Sequence, residues 1–167
     1  QFYFNMNEVW WNQSDDYIGE ATIDVVDFVF YHEMGHALID IHNIAIPAGG
    51  EDAADTLSAY ILVEFTGDIG QTAIRNAMWN FDKSSVAHYN LQKSSFADEH
   101  SLDQQRFYHL ACAAYGSNPD YNKDLPALFP EQDFSRCHHE YNQIFNFWNK
   151  NLDPIMLTSA STTATTT

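Results

Sequence analysis

Residues 20–41 constrain the fold of this chain most, because they combine a helical apolar pattern with three ionisable side chains. Apolar residues recur there at spacings of three and four, which predicts a buried helix: Ile23, Val26, Phe30, Met34, Ala37, Leu38 and Ile41. The motif His32-Glu33-Met34-Gly35-His36 lies inside this stretch. Ionisable groups are costly to bury unless they are paired or bind a metal, so the motif indicates a specific site.

The motif predicts a zinc site. His32 and His36 are four residues apart, so a helix places both imidazoles on one face, where they can bind one ion. Catalytic zinc sites use three protein ligands and keep one position for water. Glu33 is suited to act as a general base that takes a proton from that water and passes it to the leaving amine. The competing explanation is two surface histidines beside a chance glutamate.

Two candidates for the third ligand follow the motif. His42 has the spacing of the last histidine in HExxHxxGxxH, but Ile39 occupies the position of the glycine in that pattern. The helix should therefore continue and point His42 away from the metal. Glu51 and Asp55 share one face of the next predicted helix, where Glu51 can bind the metal and Asp55 can accept a hydrogen bond from a ligating imidazole. Asp55 or Asp52 as the ligand is the less favoured assignment, and these acids also suit a helix N-terminus without any metal.

The rest of the chain predicts a mainly helical domain with a short β element at its start. Helices are expected at about 51–65, 68–79, 101–115 and 133–149, with irregular segments at 80–100 and 126–130. Aromatic and polar residues alternate in residues 1–12, which predicts a strand. Residues 158–167 are nearly all Ser, Thr and Ala, a composition typical of a linker or stalk.

Composition limits the partners and the setting. The net charge of −16 repels phosphate backbones and anionic membranes, so nucleic-acid binding and membrane insertion are not expected. Cys112 and Cys137 either form one disulfide, as secreted proteins often do, or remain two buried thiols. The opening residues already have a strand-like pattern, so we expect one domain over residues 1–157 whose N-terminus is processed or incomplete.

The chain resembles the DUF4344 family of metallopeptidases over roughly residues 20–150. The resemblance is carried by the motif and by four further blocks: Glu51-Asp52-Ala53-Ala54-Asp55, Asp98 to Tyr108, Cys112 with Tyr115-Gly116-Ser117, and Cys137 with Glu140-Tyr141. It implies a zincin-type α+β fold, a zinc cofactor and a secreted bacterial or archaeal protein. His109 departs from the pattern, where the resemblance implies asparagine.

The expected function is zinc-dependent hydrolysis of a peptide or protein substrate, secreted or at the cell surface. His100, at the start of a predicted helix, is the candidate donor that stabilises the oxyanion, or else it caps that helix. Arg106 is predicted to pair with Asp52 or Asp55. The alternative is a non-catalytic surface-layer or filament protein that self-assembles and keeps the zinc as a structural element. An intact Glu33 argues against it, because a structural site needs no base.

Overall fold

The computed structural model describes residues 13–46, 49–87 and 101–156. In these ranges the chain forms helices and contains no β-strand. The elements are α1 (Asp15–His42), α2 (Gly50–Thr66), α3 (Asp68–Ala87), α4 (Asp103–Ser117), the short α5 (Leu125–Leu128), a 3₁₀ turn (Phe134–Arg136) and α6 (Cys137–Leu152). The mainly helical prediction is confirmed, whereas the α+β character of a zincin is not seen in the described part of the chain. The predicted strand and the predicted tail both lie outside it.

The predicted helices are found, with two differences in their bounds. Residues 80–87 were expected to be irregular but continue α3, and part of the expected loop at 126–130 is the helix α5. At the start of α1 the Ser14 hydroxyl accepts a hydrogen bond from the Tyr17 N–H at 3.2 Å, which caps the helix. The helix runs through Ile39 and ends at His42, and Asn43 caps it in the left-handed conformation with φ 49°. The prediction that Ile39 would not stop the helix is therefore confirmed.

The buried face of α1 differs from the one that the apolar pattern predicts. Ile23, Phe30 and Ile41 are 62%, 61% and 72% exposed. The residues that face the protein are instead Ala21, Val25, Phe28, His32 and Gly35. Because α1 carries apolar residues on all sides, the pattern identifies a helix without showing which side packs. The small residues on the buried face let α2 and α3 pack closely against α1.

Two apolar clusters hold the helices together. The larger lies between α1, α3 and α4, and its fully buried side chains include Phe28, Ile74, Met78 and Phe107. The smaller joins α2 to α6 through Leu57, Tyr60, Trp148 and Leu152. Full burial of each large apolar side chain contributes about 1.5–3 kcal/mol. Both clusters contact α2, the helix that carries the predicted third ligand, and so fix its position.

A disulfide joins Cys112 in α4 to Cys137 at the start of α6, with the two Cα atoms 4.9 Å apart. Of the two alternatives for the cysteines, the structure therefore has the disulfide, which is compatible with an extracellular location. Gly116 allows this close approach, because a Cβ at that position would lie 2.2 Å from the Cys137 carbonyl oxygen. None of the helices in the described ranges combines the length and the apolar character needed to cross a membrane.

Candidate metal centre

Three potential metal ligands meet where the end of α1 packs against the start of α2. The His32 and His36 side chains come from α1 and Glu51 comes from the first turn of α2, and their ligand atoms all lie within 4.8 Å of one another. The His32 Nε2 atom is 3.1 Å from both His36 Nε2 and Glu51 Oε2. The distance between His36 Nε2 and Glu51 Oε1 is 3.3 Å. The other candidate ligands, Asp52, Asp55 and His42, are not part of this group.

The hydrogen bonds of His32 determine which ring nitrogen faces the group. Its Nδ1 lies 2.8 Å from Asp55 Oδ1. An ionised carboxylate only accepts, so Nδ1 carries the proton and donates it to this bond. In the neutral ring, Nε2 then presents its lone pair to the Glu51 carboxylate. Two acceptors at 3.1 Å repel each other unless a proton or a metal ion lies between them. Such a cation between His32 Nε2 and Glu51 Oε2 therefore stabilises the arrangement.

The spacing of the three ligands also fits a tetrahedral ion. Ligands that lie about 2.0–2.2 Å from such an ion are separated from one another by about 3.3–3.6 Å. His32 Nε2 lies 3.1 Å from His36 Nε2 and from Glu51 Oε2, whereas the 3.3 Å separation from His36 Nε2 joins the other carboxylate oxygen, Glu51 Oε1. Small shifts and a rotation of the carboxylate would bring one oxygen and the two nitrogens to this spacing. His32 is buried, while the His36 side chain is about one-third exposed. The group therefore opens to solvent on the His36 side, where a further ligand has access.

Asp55 connects this group to α4. The Arg106 Nε and Nη2 atoms donate to Oδ2 and Oδ1 of Asp55, both at 2.7 Å, which confirms the predicted pairing of Arg106. Burial acts to raise the pKa of Asp55, but the hydrogen bonds from His32 and Arg106 outweigh it and hold that pKa below its ordinary value. Burial acts to lower the pKa of His32, but the hydrogen bond and the charge of Asp55 raise it above its ordinary value.

Residues 4–152 match the DUF4344 family, whose description is "Putative metallopeptidase". The chain belongs to this family. The match covers most of the chain and confirms the resemblance seen in the sequence. No curated protein and no solved structure matches the chain.

Membership of DUF4344 implies a metal and a peptide substrate at the coarse level of the family description. Within the described residues of this DUF4344 domain, the structure has one group of side chains that can hold a metal, namely His32, His36 and Glu51. The family and the geometry therefore point to the same place in the fold.

The structure places the other predicted site residues as follows. Glu33 is exposed on α1, and His42 is exposed at the end of that helix. Asp52 accepts a hydrogen bond from the Ser101 hydroxyl at 2.7 Å and does not join the ligand group. His100, the candidate oxyanion donor, lies outside the described residues.

Sequence reasoning missed the part that Gly35 plays in bringing Glu51 to the histidines. A Cβ on Gly35 would lie 3.0 Å from the Cα of Ala54 and 3.2 Å from its Cβ. The absence of a side chain at this position lets the backbones of α1 and α2 approach. The Ser58 hydroxyl fixes the same contact by donating to the Phe28 carbonyl at 2.8 Å. A glycine on the histidine face of the motif was the available signal.

Replacing Gly35 with alanine should lower the free energy of unfolding, because overpacking of the contact between the two helices costs about 1–3 kcal/mol and the gain in helix propensity offsets only about 0.5–1 kcal/mol of it. The displacement of α2 should also weaken metal binding. Gly19→Ala on the same helix is the matched control, since no atom lies within 4 Å of its added Cβ. That variant should gain about 0.5–1 kcal/mol from helix propensity. Urea unfolding of both variants checks the prediction, and equal effects of the two substitutions would contradict it.

Proposed function

We propose that this protein is a zinc-dependent peptidase in which His32, His36 and Glu51 hold the metal and Glu33 is the general base. The observation that carries the proposal is the convergence of the His32 Nε2 atom, the His36 Nε2 atom and the Glu51 carboxylate, with separations of 3.1–3.3 Å. Family membership supports the metallopeptidase class. When bound there, zinc supplies Lewis-acid activation of a water molecule and of the peptide carbonyl.

The ligand types favour zinc over the other common divalent cations. Two imidazole nitrogens and one carboxylate form the set found in catalytic zinc sites. Calcium and magnesium prefer sets of oxygen ligands and more of them. Three protein ligands also leave one position of a tetrahedron for water, as hydrolysis requires.

Glu33 is proposed as the base because of its place on α1. It follows His32 by one residue and precedes His36 by three, so it lies about 60° from His36 around the helix axis. It is exposed, on the side where His36 also reaches solvent. A carboxylate there can take a proton from an attacking water and deliver it to the leaving amine.

His100 remains the proposed donor to the oxyanion. The residue that follows it, Ser101, donates a hydrogen bond to Asp52 in the first turn of α2. We further propose that the protein acts on peptides outside the cell, since the disulfide is compatible with an oxidising setting.

The proposal is tested by zinc content and hydrolysis of the purified chain. We expect one tightly bound zinc, cleavage of a mixed fluorogenic peptide library, loss of cleavage on chelation and its return when zinc is restored. Zinc at 1,000 times its Kd should stabilise the fold by about 4 kcal/mol. A chain that binds no zinc would contradict the proposal. One that binds zinc but cleaves no peptide would instead favour the structural, self-assembling alternative.

A further inference from the structure

Arg106 reaches the metal centre from a different helix and from 70 residues after His36. It grips Asp55 through two parallel hydrogen bonds of 2.7 Å, one to each carboxylate oxygen. Its guanidinium carbon lies 4.1 Å from the centre of the Phe81 ring on α3. The Arg106 side chain is only 13% exposed. A continuous chain of contacts therefore runs from Phe81 through Arg106 and Asp55 to His32.

We propose that Arg106 is a positioning residue for the metal: it locks the Asp55 carboxylate in the orientation that keeps the proton on His32 Nδ1 and the Nε2 lone pair toward the ion. This inference rests on the proposed function, since it gives Arg106 a role toward the bound zinc. In this role Arg106 acts through Asp55, to which it donates both hydrogen bonds.

The burial of Asp55 explains why such a partner is needed. Asp55 is 6% exposed, and an unpaired carboxylate at such a position is strongly unfavourable. Among the residues that the structure describes, Arg106 supplies two of the three donors that reach Asp55, and His32 supplies the third. Without Arg106 the carboxylate loses two of its bonds and can rotate. Rotation weakens the acceptor that fixes the His32 tautomer.

The direction of the change in zinc affinity distinguishes a positioning role of Arg106 from a direct effect of its charge. A guanidinium repels a nearby cation, so if Arg106 acted on zinc by its charge alone, its removal would tighten zinc binding. If it positions Asp55, its removal weakens binding, by about 10–100-fold as for other partners of metal-bound histidines. Lysine keeps the charge but cannot form two parallel bonds while stacking on an aromatic ring. Arg106→Lys should therefore lose nearly as much affinity as Arg106→Gln.

The experiment measures the zinc Kd of the full chain by competition with a chromophoric chelator, for the wild type and both Arg106 variants. Arg75→Gln is the matched control. Arg75 donates to both oxygens of Asp124 at 3.0 and 2.7 Å. The Arg75→Gln substitution therefore removes an ion pair with the same two-bond geometry elsewhere in the fold. We expect about 10–100-fold weaker binding in both Arg106 variants and less than about twofold change in the control. The visible spectrum of the cobalt(II)-loaded protein should shift in the Arg106 variants alone.

A second pair of variants, Asp55→Asn with and without Arg106→Gln, separates an effect on zinc binding from a loss of folding. Asp55→Asn removes the buried charge, so adding Arg106→Gln to it leaves no unpaired carboxylate. Because Arg106 acts through Asp55, its replacement in the Asp55→Asn background should change the zinc Kd by less than about twofold. Circular dichroism of the zinc-free proteins verifies that they are folded.

The possible failures are distinguishable. Absence of zinc binding in the wild type would overturn the proposed function together with this inference. Zinc binding by the wild type with equal or tighter binding in Arg106→Gln would overturn the inference alone. Equal losses in Arg75→Gln would also overturn it, since the effect would then come from general destabilisation.

Discussion

Replacing Glu33 with glutamine should lower the rate of peptide hydrolysis by about 10²–10⁴-fold, the usual contribution of a general base. Glutamine has nearly the same shape as glutamate, but its amide does not take up a proton. The three proposed ligands remain in place, so the zinc Kd should change little. Activity and zinc affinity are therefore expected to separate in this variant, whereas they fall together when a ligand is lost.

Cleavage of a fluorogenic peptide and zinc competition, measured on the same preparation, check this result. Glu20→Gln is the matched control, because Glu20 is also exposed on α1 and lies about 20 Å from Glu33 along the helix axis. That control should keep full activity. Hydrolysis that persists in Glu33→Gln would show that Glu33 is not the base, even if zinc is bound.

Replacing Glu51 with glutamine should weaken zinc binding by more than about 100-fold, because loss of a ligand costs more than loss of an outer hydrogen-bond partner. The amide oxygen is a neutral and weaker ligand. Without metal, and at a pH well above the pKa of His32, where the ring is neutral, the same variant should be at least as stable as the wild type. A glutamine N–H can donate to the His32 Nε2 lone pair, where the carboxylate stands at 3.1 Å and can only accept.

Zinc competition and thermal unfolding of the zinc-free protein measure these two opposite effects. Asp52→Asn is the control, since Asp52 is the next residue of α2 and bonds Ser101 at 2.7 Å. It should leave the zinc Kd within a few-fold of the wild type. If zinc affinity fell more in Asp52→Asn than in Glu51→Gln, Glu51 would not be the third ligand.

The apolar pattern of α1 shows where sequence reasoning reached its limit. The spacing of Ile23, Val26 and Phe30 correctly predicted a helix, yet these side chains are exposed. Helical periodicity depends only on local geometry, which the sequence contains. The side that packs is decided by partners, and α1 offers apolar residues on every side. The face that contacts other helices combines the small Ala21 and Gly35 with Val25, Phe28 and His32.

The sequence by itself determined that His32 and His36 share one face of a helix, since a spacing of four residues fixes this in any α-helix. It also argued against His42 as a metal ligand, because Ile39 lets the helix continue. The sequence favoured Glu51 as the third ligand and predicted that Arg106 pairs with Asp52 or Asp55, but only the tertiary structure decided that these groups lie beside the two histidines. Glu51 meets the histidines because Gly35 lets two helices approach, and Arg106 reaches Asp55 from 51 residues away. Such contacts depend on how helices pack, and residue spacing within one helix carries no information about that packing.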